Sequence, residues 1–150
     1  DAARAYGLEA VVIDHGPLSN PDALALQGSS DVLLVLSWNR SDSQGIISGK
    51  FGEYLAMEKP LLVLVSGDLP GAELTELVDR LSVGYVYEEA SNSDIMALAR
   101  FLESAATRTA EGKKPVFEPS LDNVATLDYA NIAVHLVELI EKNRNEQRIG

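Results

Sequence analysis

Cysteine is absent from this chain of 150 residues, which excludes a disulfide framework, a thiolate site and sulfur-ligated metals. The lack of disulfides is compatible with a reducing compartment. Histidine is nearly absent too. His15 and His135 lie 120 positions apart, a spacing that suggests no metal site. Positive charge is scarce, with 12 Lys and Arg against 23 Asp and Glu and a net charge of −11. Such a surface repels nucleic acid, and the densest basic spot, Lys113-Lys114, is too small to form a patch. Long apolar runs are missing as well. "VLLVL" and "LLVLV" fall far short of the roughly 20 residues a membrane span needs, and no secretory signal pattern opens the chain.

What remains is an average globular composition, with 46% hydrophobic and 23% charged residues, in a length that suits one domain. "EAVVIDHG" (9–16) reads as a short buried strand. Asn20-Pro21-Asp22 supplies a helix start, with Asn as cap, Pro in the first turn and Asp at the positive end of the dipole. "DVLLVLSW" (31–38) is continuously apolar, as a strand covered on both faces should be. A polar loop leads to a helix at about 49–58 and then to a strand, "PLLVLVSGD" (60–68). Leu74, Leu77, Val78 and Leu81 share one helical face after Pro70-Gly71. "VGYVYEE" (83–89) is a fourth strand. Ser91 to Asp94 resembles a capping box, and Ile95, Leu98, Ala99 and Leu102 give the next helix its stripe. Residues 107–120 read as a linker. A final helix at about 128–143 carries Tyr129, Ile132, Leu136 and Ile140 on one side. Strands alternating with helices predict a three-layer, Rossmann-like α/β domain with a parallel sheet of at least four strands.

In such a sheet, ligands bind beyond the carboxyl ends of the strands, where loops feed helix N-termini. The loop of residues 38–50 is the longest of these. It ends in Ser48-Gly49-Lys50, whose backbone N–H groups and added positive charge suit an anion at a helix start. Glu53 lies one turn deeper, within reach of two ribose hydroxyls. The same residues also suit ordinary punctuation between strand and helix, because a glutamate in a first turn is stabilised by the dipole in any case. Neither a Walker loop nor a G-x-G-x-x-G fingerprint is present.

The stretch "GKFGEYLAMEKPLLVLV" (49–65) resembles the signature of the family 4-like retaining glycosyltransferases of the GT-B fold. The flanking stretches "GLEAVVIDHGPLSNPDALALQGSSDVLLVLS", "VGYVYEEASNSDIMALARFLES" and "LDYANIAVHLVELIEK" are similar, in order, to the remainder of that family's carboxyl-terminal, nucleotide-sugar-binding domain. The resemblance implies that Glu53 is the second glutamate of the family's E-x7-E motif and binds the donor ribose. It also implies that the N–H groups of Ser48, Gly49 and Lys50 face the diphosphate. Two positions depart from the pattern. Gly45 stands where the first glutamate would contact the donor sugar, and Glu58 stands where the family often has a glycine.

By the same resemblance the chain is most of one lobe, truncated at its amino end. The acceptor lobe and the first strands would lie outside it. The fragment would be inactive alone, with no catalytic residue of its own to name. The implied function is the donor lobe of a glycosyltransferase that passes a sugar from UDP or GDP to a glycan or lipid-linked acceptor. It would need no metal or cofactor, and it would work in the cytoplasm, peripheral to a membrane. A sheet missing its first strands should have a bare edge, so a homodimer through that edge is expected. The alternative is a noncatalytic α/β interaction module in which the Ser48–Glu53 helix start is purely structural.

Overall fold

The computed structural model describes residues 2–91 and 94–127. Where the sequence reads as one domain, the chain divides into two compact units, Asp1–Ser30 and Asp31–Gly150. The first holds two helices, α1 (Ala2–Ala5) and α2 (Asn20–Ser29). The strand expected at 9–16 is not formed. A strand needs a neighbour to take its backbone groups. Here Val11 N and Val12 N instead bond back to Leu8 O, both at 3.0 Å, and close a turn. The cap of α2 is Ser19 rather than Asn20, its hydroxyl accepting from Asp22 N at 3.3 Å.

The second unit is built on three parallel strands, β1 (Leu33–Trp38), β2 (Leu61–Ser66) and β3 (Gly84–Glu88), in the order β1-β2-β3. Among the described residues three strands stand where at least four were expected, because residues 9–16 contribute none. The register sets Leu33, Leu61 and Gly84 side by side, then Val35, Val63 and Val86. These positions share the face that carries the core. Phe51 of α3 (Gly49–Leu55) and Leu74, Leu77, Val78 and Leu81 of α4 (Glu73–Leu81) complete it, all buried. The expected face of α4 is thus the observed one. Each such side chain contributes roughly 1.5–3 kcal/mol by leaving water.

The opposite face is covered unevenly. Over β3, Tyr85 stacks on Phe101 of α5 (Ile95–Ala110), with ring centroids 5.7 Å apart. Over β1, Leu34, Leu36 and Trp38 are 49%, 68% and 42% exposed. The apolar run of β1 was expected to be covered on both faces, and among the described residues only one face is. In α5, Ile95 and Leu102 point to solvent, while Leu98, Phe101 and Ala105 turn inward. Of the expected stripe, Leu98 and Ala99 are half-buried and Ile95 and Leu102 are exposed, and the capping box is not formed. Ser91 sits in a short 3-10 turn, and Asp94 is the cap, accepting from Met96 N at 2.8 Å.

The expected linker at 107–120 is also corrected. Helix α5 continues through Ala110, and Gly112, at φ 72°, ends it in the left-handed conformation that glycine favours. Beyond it Phe117 packs on the core, Ser120 N bonds Leu81 O at 2.8 Å, and a short helix α6 (Leu121–Ala125) follows. The helix expected at 128–143, with His135, lies outside the described residues. Helix α3 ends at Leu55, before a turn in which Glu58 takes φ 53°.

Candidate functional site

Three segments meet at the carboxyl ends of the strands, residues 39–48, 67–72 and 88–91, and side chains tie them together. Asn39, 4% exposed, donates its backbone N–H to Ser66 O at 2.8 Å and its amide to Leu69 O at 3.0 Å. Asp68 accepts from both the N–H and the hydroxyl of Ser41, each at 3.1 Å. These bonds, the backbone one foremost, hold its carboxyl below the usual range, against a small opposing effect of burial. Glu89 accepts from Gly67 N at 3.1 Å.

The central tie is Glu88, which is buried at 3% exposure. Its carboxylate accepts from Gly71 N at 3.1 Å, Ala72 N at 2.8 Å, Thr75 Oγ1 at 3.4 Å and the Ser91 hydroxyl. Burial alone would raise its pKa, but the donors from Ser91, Ala72, Gly71 and Thr75 outweigh it, and the carboxyl titrates below its ordinary value. The α4 N-cap residue, Ala72, has no side chain to cap with. Glu88 caps the helix from the neighbouring strand instead, so the positive end of α4 is already neutralised.

Among the described residues, an apolar cleft of about 380 Å³ lies at this end of the sheet, lined by Leu36, Leu64, Val65, Tyr87 and Glu89, beside two polar ones. One, of about 390 Å³, is lined by Arg40, Ser41, Asp42, Gly67, Asp68 and Glu89. The other, of about 180 Å³, lies among Trp38, Gln44, Gly45, Glu73 and Glu76. Both are acidic, and neither suits a phosphate.

Ser48, Gly49, Lys50 and Glu53 come together on α3, outside the linings of these two clefts. Ser48 occupies the cap position with extended backbone (φ −82°, ψ 162°) but makes no side-chain cap bond. The N–H groups of Ser48, Gly49 and Lys50 make no hydrogen bond among the described residues, as a helix start leaves them. Lys50 Nζ lies 3.7 Å from Glu53 Oε1, with side-chain exposures of 63% and 32%. At that exposure the pair is worth under about 1 kcal/mol, so the Lys50 ammonium is readily redirected. Phe51, at 3% exposure, anchors the helix from below.

Gly45 is fixed by the loop itself. Its N–H donates to Trp38 O at 2.7 Å, and a β-carbon there would strike the Ser37 hydroxyl and the Trp38 backbone. A side chain at 45 would therefore require the Ser37 hydroxyl and the loop to shift. His15 is exposed. Among the described residues no cluster of three or more His, Asp or Glu is placed to hold a metal, and no helix is long and apolar enough to cross a membrane.

Sequence reasoning missed Glu88 and Asn39. The first left a trace, a glutamate pair closing the apolar run "VGYVY", whereas Asn39 left none. No protein-family model matches the chain, and neither a curated protein nor a solved structure matches it.

Proposed function

We propose that this chain is the nucleotide-sugar-binding lobe of a glycosyltransferase, and that a UDP- or GDP-linked donor docks at the start of α3. In this reading Ser48, Gly49 and Lys50 receive the diphosphate and Glu53 accepts from the ribose hydroxyls. The whole enzyme would act in the cytoplasm at a membrane surface, passing the sugar to a glycan or lipid-linked acceptor held by another lobe.

The observation that carries the reading is Glu58. Its φ of 53° is the left-handed conformation that glycine adopts without penalty. It falls at a position of this segment where the resembled family often has a glycine. A glycine-like backbone under a glutamate side chain is what the reading would expect of that position. The positive charge of Lys50 at a helix start supports this, since a phosphate is better matched there than in the two acidic clefts.

The test is a titration of the chain with UDP, UDP-sugars and GDP, followed through the amides of residues 46–54. Shifts should concentrate there. Glu53→Ala should weaken binding by about 1.5–3 kcal/mol, roughly 10- to 100-fold, through loss of a charged acceptor. Shifts confined to another surface, or an unchanged response in the variant, would remove the site and favour the noncatalytic interaction module.

A further inference from the structure

β1 lies at one edge of the sheet, and its backbone shows which groups that edge presents. Leu33 N bonds Pro60 O at 3.1 Å and Asn39 N bonds Ser66 O at 2.8 Å, so the odd-numbered residues face β2. The even-numbered ones face outward. Trp38 O is taken by Gly45 N at 2.7 Å, but the N–H and C=O groups of Leu34 and Leu36 have no hydrogen-bond partner among the described residues. The same two side chains are 49% and 68% exposed. Chains usually guard such an edge with a lysine, a proline or a bulge. The run Val32–Trp38, "VLLVLSW", has none of these and no ionisable side chain.

We propose that this edge is a dimer interface, occupied by β1 of a second copy running antiparallel. The register that uses only these two residues of each copy sets Leu34 opposite Leu36 of the partner subunit, and Leu36 opposite the partner's Leu34. The two-fold axis then passes through Val35. The contact is self-complementary, as two-fold symmetry requires, and it joins the exposed leucines of the two copies into one apolar strip. Because no charge lies between 32 and 38, a chain with a net charge of −11 meets its copy where like charges are fewest. Repulsion between the remaining surfaces is screened by salt, so association strengthens as salt is added.

The absence of cysteine makes the test direct. Val35→Cys sets two thiols opposite each other at a non-hydrogen-bonded pair, about 4.5 Å apart at Cα, within disulfide range. Mild oxidation of the 150-residue chain should cross-link this variant. Ser37→Cys, which the register places opposite the partner's Leu33, should stay uncoupled. Sedimentation of the unaltered chain should show a dimer that grows with concentration and with salt. Leu36→Lys, a change at an exposed position, should shift it to monomer without loss of helical signal. A monomer at every concentration would overturn the proposal, as would equal cross-linking of the two cysteine variants. Slow exchange of the Leu34 and Leu36 amides in a monomer would also overturn it, by showing that another segment of the same chain fills the edge.

Discussion

Removing the Glu88 carboxylate tests how the carboxyl end of the sheet is held. In Glu88→Ala the N–H groups of Gly71 and Ala72 lose their acceptor inside the protein, and Thr75 and Ser91 lose theirs. Each buried donor left unsatisfied costs about 1–3 kcal/mol. One buried backbone group, Ala72 N, with the part-buried Gly71 N and a weaker hydroxyl contact, adds up to about 2–4 kcal/mol, a large share of the ordinary stability of a domain. Glu88→Gln keeps one acceptor oxygen but turns an NH₂ toward donors, and should cost about half as much. Urea unfolding at pH 7, followed by far-UV circular dichroism, measures both. Acid supplies a second signature. Glu88 titrates below its ordinary 4.5 when folded, so its contribution is complete above that value and disappears as pH falls through the lower folded pKa. The gap between the unaltered chain and Glu88→Gln should close over that window. A cost below about 1 kcal/mol for Glu88→Ala, or a gap that ignores pH, would refute the capping argument.

At Glu58, replacement by glycine should stabilise the chain by about 0.5–1 kcal/mol, because the left-handed backbone no longer strains a β-carbon, whereas Glu58→Ala should not. Thermal melts of the two variants separate relief of strain from loss of charge. On α5, Leu102→Lys should be nearly neutral, because Leu102 is 43% exposed. Phe101→Ala, which removes the ring stacked on Tyr85, should cost about 3 kcal/mol or more by the same melts.

Elements whose signal is local were legible in the sequence. The stripe of α4 is spelled out by Leu74, Leu77, Val78 and Leu81, and the burial of all four follows from that spacing. Residues 9–16 have the composition of a strand, but a strand exists through its neighbours, and no sequence window contains them. The same limit hid the two unlike faces of β1, since Leu33 and Leu34 are chemically identical and differ only in what lies above them. At the site, the grouping of Ser48, Gly49, Lys50 and Glu53 was readable because it lies within one helix start. Glu88 was not, because the groups it serves begin 17 positions earlier in sequence, at Gly71. Gly45 could be named as a departure from a motif. The obstruction a side chain would meet there is visible only with Ser37 beside it.

The two ends of the sheet are fastened by different chemistry. At the amino end the ties are neutral, with Leu61 N to Val83 O at 2.9 Å, Ser120 N to Leu81 O at 2.8 Å and the Asn123 amide to Arg80 O at 2.8 Å. At the carboxyl end Asp68, Glu88 and Glu89 accept most of the bonds, and for Asp68 and Glu88 ionisation strengthens them. Acid strong enough to protonate Asp68 and Glu88, whose carboxyls titrate below their ordinary values, therefore loosens one rim while the other stays closed. The end best placed to meet a ligand is thus also the end whose rigidity depends on the proton concentration around it.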